Sequence, residues 1–296
     1  MHVVLAGASG LIGNALRAAL RGDGHRVTTL VRRPPGAADE ARWAPERHEL
    51  DPEVLREVNA VVCLSGAGVG DHRWTDSYKE VMRSSRLDSV GTLASGMAGL
   101  SDGPRVLLSA SAVGYYGDTG ERVVDESAPR GDGFLAELCE EWEAATRPAQ
   151  DADIRVAQLR TGLVLSSDGG LLKRLKLIVS LGAGGRLGSG RQYMPWISLA
   201  DEIAAIGFLL HHEVSGPVNL TGPDPVRNAE FIATLAGLLH RPAIVPTPGF
   251  ALRIVLGEFA QDTLTGQRAV PTTLLAAGFT HQHSDLNSAL RWALGR

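Results

Sequence analysis

Two adjacent tyrosines follow closely on an apolar run that ends in serines, RVLLSAS, and are candidates for acid–base chemistry. They are Tyr115 and Tyr116. A phenol exchanges a proton with a substrate near neutral pH only if a neighbouring cation lowers its pKa. A lysine four residues after a tyrosine, on the same helix face, would do so. The residues at that spacing after the chain's four tyrosines are instead Met82, Thr119, Gly120 and Ile197. The sequence therefore indicates candidate proton donors without a lysine partner.

A glycine-rich turn lies directly after the first apolar run of the chain. HVVLAG is typical of a strand buried in a parallel sheet, GASGLIG follows it, and LRAALRGDGHRV then has helical spacing. In such a turn Gly7 allows the tight bend, Gly10 lets the backbone approach a pyrophosphate, and Gly13 lets the helix pack on the strand. Strand, turn and helix in this order predict a dinucleotide site at the helix N-terminus. Ser9, Leu11 and Ile12 complete the predicted loop.

The end of the second strand predicts which dinucleotide is bound. An NAD site usually places an acidic residue there, to accept a hydrogen bond from the ribose 2′-hydroxyl. This chain has Arg32 and Arg33 instead, in LVRRPPG. The planar arginine fork matches phosphate geometry, so the pair favours a 2′-phosphate and hence NADP(H). The alternative is that both arginines belong to an exposed loop.

Further strands alternate with helices along the first half of the chain. AVVCLSG is a buried strand whose end, Leu64, Ser65, Gly66 and Ala67, is expected to lie against the cofactor. In RVLLSAS, Ser109 and Ala110 are further cofactor-binding candidates. This alternation predicts an α/β fold with a Rossmann-like doubly wound parallel sheet.

We expect two domains. The first is an NADP-binding domain over 1–165, completed by 199–221. The second is a smaller substrate-binding region over 166–198 and 222–296, with a strand at 243–246 and a helix at 250–264.

Glycines, aromatic residues and a cation are concentrated in SSDGGLLKRLKLIVSLGAGGRLGSGRQYMPWI, a mixture that suggests a lid over a ligand. Arg191 is predicted to bind an anionic substrate or to lower a phenol pKa. Tyr193 and Trp196 are predicted to stack on a flat ligand, and ordinary packing is the alternative.

The overall composition is that of a globular chain. It has 296 residues, a formal net charge of −4 and 44% hydrophobic residues, which suggests neither nucleic acid nor a membrane as a partner. No secretory leader precedes the first strand, so a cytoplasmic protein is expected. Cys63 and Cys139 are expected to be buried thiols, and no cluster has metal-ligand spacing. The oligomeric state is left open between monomer and homodimer.

Several motifs over the whole chain resemble the extended short-chain dehydrogenase/reductases, the superfamily of nucleotide-sugar epimerases and dehydratases. GASGLIG resembles its cofactor loop, and LSASAVGYYGD resembles the strand with the catalytic serine, which maps to Ser111. DHRWT, FLAELCEEWE, RTGLVLSSDGG and GQRAVPTTLLAAGF resemble one atypical branch, usually labelled "epimerase family protein" and sometimes "SulA-like cell-division inhibitor". That branch has its own C-terminal extension, here about 245–296. The resemblance implies NADP(H) and a small-molecule substrate.

The chain departs from the superfamily at its catalytic tyrosine and lysine. Phe134 and Leu138 occupy the matching positions, so both polar partners are replaced by apolar residues. One interpretation is an oxidoreductase or epimerase with a rearranged site, in which Tyr116, Tyr115 or Glu137 supplies the proton. The other is a sensor or scaffold that binds NADP(H) without turnover.

Overall fold

A computed structural model describes residues 1–181, 184–243 and 245–296 of the chain. The chain forms two compact units. The first consists of Met1–Ser111, Leu138–Leu159 and Ile203–Val218. The second consists of Ala112–Glu137, Arg160–Glu202 and Asn219–Arg296. The division predicted from the sequence placed four further segments in the cofactor domain, which here belong to the second unit: 112–137, 160–165, 199–202 and 219–221.

Fourteen strands and eleven helices are assigned in the described residues. The strands are β1 (His2–Ala6), β2 (Arg26–Val31), β3 (Glu40–Ala44), β4 (Glu49–Leu50), β5 (Ala60–Cys63), β6 (Val106–Ala112), β7 (Val123–Val124), β8 (Arg155–Thr161), β9 (Leu163–Leu165), β10 (Tyr193–Met194), β11 (Trp196–Ser198), β12 (Gly216–Leu220), β13 (Val226–Arg227) and β14 (Arg268–Ala269). The helices are α1 (Leu11–Gly22), α2 (Asp76–Ala98), α3 (Phe134–Ala144), α4 (Arg147–Asp151), α5 (Gly170–Ser180), α6 (Leu199–His211), α7 (Asn228–Leu238), α8 (Gly249–Leu256), α9 (Phe259–Leu264), α10 (Thr272–Ala276) and α11 (Leu286–Leu294).

An eight-stranded sheet organises the first unit, in the order β12-β8-β6-β5-β1-β2-β3-β4. The pairs β1–β2, β1–β5, β2–β3 and β5–β6 are parallel, and the short edge pair β3–β4 is antiparallel. The predicted doubly wound parallel sheet is thereby confirmed. β1 lies between β2 and β5 and is parallel to both. The predicted cofactor loops, which follow the carboxyl ends of these three strands, therefore lie side by side.

The core of the first unit forms where α2 and the end of α3 pack on the sheet. Val4 of β1 and Val61 of β5 are fully buried there, with Leu93 and Met97 of α2 and Trp142 of α3. Val4 and Val61 belong to the two runs that the sequence predicted to be buried strands. Burial of side chains of this size contributes about 1.5–3 kcal/mol each.

Side chains cap two helical segments of the first unit. Thr75 caps α2, because its hydroxyl accepts the amide hydrogen of Tyr78. Asp51 accepts the amide of Glu53, as expected of a cap, but the segment it caps is a single 3₁₀ turn, Pro52–Leu55. Here the chain turns directly towards β5.

The second unit contains three two-stranded sheets, β10–β13, β9–β11 and β7–β14. Its core joins α5, α7 and α11 through Leu172, Phe231, Leu235 and Leu290. The helix predicted over 250–264 is divided into α8 and α9, because Gly257 adopts a φ of 63° that ends the first helix. The predicted strand at 243–246 includes Ile244, which lies outside the described residues.

Two adjacent acidic residues at the start of α6 are completely buried in the second unit. Asp201 accepts the hydroxyl hydrogen of Ser198 and the amides of Gln282 and His283, so it anchors the C-terminal segment. Glu202 accepts a hydrogen bond from the Thr161 hydroxyl, 2.9 Å away, through one oxygen only. Its other carboxyl oxygen has no partner in the part of the chain that the structure describes. Burial raises the pKa of Glu202 to about 8.

None of the helices in the described residues is long and apolar enough to cross a membrane.

The pKa of Glu202 predicts a pH dependence of stability. The folded pKa of about 8 exceeds the ordinary value of 4.5, so the folded state binds the proton more tightly. The contribution of Glu202 is therefore greatest below about pH 4.5 and is lost as pH rises towards 8. Glu202→Gln keeps an acceptor for Thr161 and cannot ionise, so it is expected to be more stable than wild type at pH 8, by on the order of a few kcal/mol.

Urea unfolding of both proteins at about pH 5 and about pH 8 measures this difference. A gap between the two proteins that is the same at both pH values would contradict the prediction.

Candidate functional site

The glycine turn of the first unit is packed too closely for any side chain at two of its positions. A Cβ on Gly7, whose φ is +83°, would lie 2.6 Å from the carbonyl carbon of Leu64. A Cβ on Gly13 would lie 2.2 Å from the carbonyl oxygen of Gly7. Gly10, by contrast, is exposed, and a Cβ there would make only an ordinary contact, 3.5 Å from the carbonyl oxygen of Gly7. The tight positions thus bring α1 against β1, and Gly10 remains at the surface.

The N-terminus of α1 offers backbone amide groups without a side-chain cap. Gly10 is the N-cap residue, so it has no side chain that could accept these hydrogen bonds. Ser9 is exposed beside it, and Leu11 and Ile12 are partly exposed. Free amide groups together with the positive end of the helix dipole attract an anion.

The loop after β5 lies directly against this turn. Ser65 provides one contact, since its amide nitrogen would be 2.8 Å from a Cβ on Gly7. Ala67 donates its amide hydrogen to the Ser85 hydroxyl of α2. In β6, Ser109 is fully buried and Ala110 partly exposed. The structure therefore brings the two loops together, whereas Ser109 belongs to the sheet interior.

The two arginines after β2 differ in their surroundings. Both are exposed, but Arg33 donates from both terminal nitrogens to Glu40, at 2.8 and 2.6 Å. This hydrogen-bonded pair lowers the pKa of Glu40 to about 2. Arg32 has no hydrogen bond or ion pair within the described residues. The positive charge of Arg33 is thus balanced locally, while that of Arg32 is available.

Ser111 lies at the end of β6 and is almost fully buried. Its hydroxyl donates to Oε1 of Glu143, in the last turn of α3, at 2.7 Å. The carboxylate fixes the rotamer of the serine and holds its proton. No sequence motif indicates this partner, because the two residues are far apart in the chain.

Tyr116 is enclosed in the second unit. It is 1% exposed, donates to Oδ1 of Asn219 at 2.7 Å and accepts from Nη1 of Arg160 at 3.0 Å. Burial raises the pKa of its phenol to about 12, although Arg160 opposes the shift. A sealed phenol with a raised pKa is a poor proton donor, so the structure does not support the prediction for Tyr116.

Tyr115 presents a different environment in the same unit. Its ring is partly exposed and stacks against Arg160, whose guanidinium carbon lies 3.5 Å from the ring centre. Its hydroxyl makes no hydrogen bond within the described chain. Of the two adjacent phenols, only Tyr115 retains an accessible hydroxyl beside a cation.

A cationic surface surrounds Tyr193. The guanidinium carbons of Arg227 and Arg268 each lie 4.9 Å from the centre of its ring, so both make cation–π contacts with it. Arg191, which is largely exposed, reaches the carboxylate of Glu121 at 3.7 Å. Arg227 binds the same carboxylate at 2.7 Å, which lowers the pKa of Glu121. The structure brings Arg191 and Tyr193 together with two arginines that the sequence analysis missed.

Trp196 requires a correction. It is 1% exposed within the core of the second unit, and its indole nitrogen donates to the carbonyl of Asp224. A Cβ on Gly222 would lie 2.9 Å from its ring. Trp196 therefore packs as a core residue and is not available to stack on a ligand.

Phe134 and Leu138, the residues matched to the superfamily's tyrosine and lysine, are apolar residues and are partly or fully buried. Phe134 is partly buried, and Leu138 is 2% exposed. Glu137, between them, is exposed, as expected of a solvated helix residue. Cys139 and Cys63 are buried thiols, and burial raises the pKa of Cys63 to about 12. These positions provide no alternative acid.

The fold and the glycine turn are those of a dinucleotide-binding α/β protein, and comparison with known families makes the assignment specific. Residues 3–221 match the model of the NAD dependent epimerase/dehydratase family, and the chain belongs to that family. Residues 247–293 match a domain of unknown function, DUF1731. The resemblance inferred from the motifs is confirmed, including the separate C-terminal extension.

Relatives match along the whole chain. Epimerase family protein Mb2239 of Mycobacterium bovis is 49% identical over 99% of this chain and 98% of its own. The crystal structure of human epimerase family protein SDR39U1 (isoform 2), solved with NADPH, is 31% identical, with a TM-score of 0.92 over 100% of this chain and 99% of that one. A nucleoside-diphosphate sugar epimerase from Corynebacterium glutamicum is 34% identical, with a TM-score of 0.82 over 100% of this chain and 58% of that one.

The environment of Tyr116 predicts a structural role. Tyr116→Phe removes the hydroxyl and leaves Oδ1 of Asn219, a fully buried residue, without its donor. We expect a loss of about 1–3 kcal/mol in the free energy of unfolding, measured by urea denaturation. Tyr193→Phe is the matched control, because its hydroxyl bonds an exposed carboxylate. Equal effects of the two substitutions would contradict this role.

Proposed function

We propose that this chain binds NADP(H) in its first unit and is an oxidoreductase or epimerase-like enzyme acting on a small molecule with a carbonyl or sugar-like group. The observation that carries the proposal is the cradle at the start of α1. There, Gly7 and Gly13 admit no side chain and Gly10 leaves the helix amides uncapped. The human relative crystallised with NADPH supports the choice of cofactor.

The residues of the first unit fit the parts of a dinucleotide. The amides at the start of α1 would hold its pyrophosphate, and the loop of Leu64, Ser65, Gly66 and Ala67 would lie along it. No acidic residue follows β2 directly, where a 2′-hydroxyl would be recognised. Arg32, whose charge is available, would bind a 2′-phosphate. When bound, NADP(H) supplies or accepts a hydride.

Ser111 and Tyr115 are the residues proposed to act on the substrate. Glu143 holds the Ser111 hydroxyl in one orientation, so its lone pairs face away from the carboxylate. Arg160 stacks on the Tyr115 ring and holds it in place, and the Tyr115 hydroxyl makes no hydrogen bond within the described chain, so this hydroxyl can hydrogen-bond a substrate. Arg191 and Tyr193, with their neighbouring arginines, would bind an anionic part of the substrate. A diphosphate of the kind implied by the name of the C. glutamicum relative is one such group.

Arg32 is predicted to determine the preference for NADPH. Arg32→Ala should weaken NADPH binding about ten-fold or more and leave NADH binding unchanged, because only NADPH has a 2′-phosphate. Arg33→Ala is the matched control and should have the smaller effect, since Glu40 already balances its charge. Titrations that follow nicotinamide fluorescence measure both. Equal loss of NADPH and NADH, or a larger effect of Arg33→Ala, would refute the assignment.

Tyr115 is predicted to supply the proton. Tyr115→Phe should reduce NADPH consumption at least about 100-fold on any carbonyl substrate that the wild type accepts, without changing NADPH affinity. Tyr116→Phe should retain the rate of each folded molecule. The measurement is initial rates on a panel of carbonyl compounds and quinones. An unchanged rate for Tyr115→Phe would place the proton donor elsewhere.

A cofactor-binding sensor is the second candidate, and the buried Leu138 favours it, because no lysine holds the place of the superfamily's catalytic cation. Binding of NADPH by the wild type without turnover on the whole panel would support this candidate over the enzyme.

A further inference from the structure

The four most exposed large apolar side chains among the described residues lie on two helices of the second unit. Leu177 and Leu181 are at the C-terminal end of α5, and Phe250 and Ile254 are on α8; each is 62% to 75% exposed. The next most exposed large apolar side chain in the same residues, that of Val123, is 50% exposed. Each helix thus has two such residues at i, i+4 spacing, which project from one side of it. Exposed apolar residues grouped in this way mark a surface that another molecule covers.

Backbone contacts join the end of α5 to the start of α8. A Cβ on Gly184 would lie 2.7 Å from the side chain of Val179, so this glycine packs on α5. Its carbonyl accepts the amide hydrogen of Val245, 3.3 Å away. Thr247 then donates to the carbonyl of Arg186 at 2.9 Å, and α8 begins two residues later. The exposed apolar side chains of the two helices therefore belong to one region, which we call the α5–α8 surface.

Cations accompany these apolar side chains. Lys173 and Arg253 are exposed and Lys176 is partly exposed, and all three lie on the same two helices. No aspartate or glutamate occurs in 169–200 or in 231–257, the stretches of sequence that contain α5 and α8. The formal net charge of −4, on which the expectation of no membrane partner rested, belongs to the whole chain. It does not describe this region, whose sequence carries positive charge only.

We propose that the α5–α8 surface docks on an anionic lipid membrane. Its four exposed apolar side chains would enter the boundary between head groups and acyl chains, and its lysines and arginine would lie against the lipid phosphates. Helices that combine apolar side chains with Lys and Arg bind membrane surfaces in this way. Each cation near an anionic leaflet strengthens binding about five-fold.

A second copy of the chain fits this surface less well. Most dimers of identical chains are two-fold symmetric, so each partner presents the same patch to the other. The cations of α5 and α8 would then face identical cations, and like charges across a contact repel one another. An anionic lipid surface instead offers apolar chains and negative head groups together.

Flotation of the protein with lipid vesicles tests the proposal. The wild type should bind vesicles made of equal parts phosphatidylcholine and phosphatidylglycerol, and should bind pure phosphatidylcholine at least about ten-fold more weakly. High salt should weaken binding to the anionic vesicles, because it screens the charges. Binding that is independent of the anionic lipid, or no binding to either kind of vesicle, would overturn the proposal.

Two variants locate the contact. Leu181→Ser removes an exposed apolar side chain and should weaken binding to the anionic vesicles about ten-fold or more. Lys173→Gln combined with Lys176→Gln should weaken it by a similar factor. Leu275→Ser, on α10, and Lys79→Gln, on α2, are the matched controls and should leave the affinity unchanged. Because all these side chains are exposed or partly exposed, the thermal midpoints should stay at the wild-type value.

The remaining outcomes are also decisive. Unchanged binding by both surface variants would place the contact elsewhere and overturn the proposal. If Leu181→Ser lowers the thermal midpoint, Phe250→Ser takes its place. Sedimentation equilibrium tests the second copy as occupant: a dimer that Leu181→Ser dissociates, in a protein that binds no vesicles, would make this surface a contact between copies. None of these measurements involves NADPH, so their results are independent of the proposed function.

Discussion

The close approach of backbone to backbone at the glycine turn is the constraint on which the first unit depends. The carbonyl oxygen of Gly7 occupies the space where Gly13 would carry a side chain, and Leu64 and Ser65 press on Gly7 from the next strand. Only glycine permits this packing. It brings α1, β1 and the loop after β5 together, and it leaves the amides of α1 without a cap. The same constraint therefore produces both the tight core and the anion-binding end of the helix.

The second unit depends on buried polar groups that satisfy one another. Asn219 accepts from Tyr116 and donates to the carbonyl of Val270, while Glu126 accepts the amides of Asn219 and Thr273. These bonds join segments that are distant in the chain. Because the groups are buried, each donor or acceptor left without its partner would cost about 1–3 kcal/mol of stability. Tyr116 is one member of this network. A residue whose hydroxyl is already used by the fold has little freedom to serve a substrate.

This member of the NAD dependent epimerase/dehydratase family has the glycine turn but no tyrosine that is followed four residues later by a lysine. Phe134 and the buried Leu138 are the residues that the resemblance matches to such a pair. Cations reach the loops from other elements instead: Arg160 of β8 stacks on Tyr115, and Arg86 of α2 packs on Gly66. Within each unit, the arginine therefore comes from a different helix or strand than the residue it contacts. The spacing of residues along the sequence could not have revealed these contacts.

The sequence by itself determined the parallel sheet, the glycine turn and the family, because strand periodicity and backbone crowding at glycine are local properties that a short motif specifies. It also placed Arg32 and Arg33 after β2. Only the tertiary structure showed that the two differ, because Glu40 forms an ion pair with Arg33. The sequence does not distinguish Tyr115 from Tyr116, but in the folded chain Tyr116 is buried and Tyr115 is partly exposed. The same is true of Trp196, which became a core residue, and of Glu143, Arg160 and Arg86, which no motif indicated. Burial and pairing depend on residues far away in the chain, and they decide pKa, charge and access only when the chain is folded.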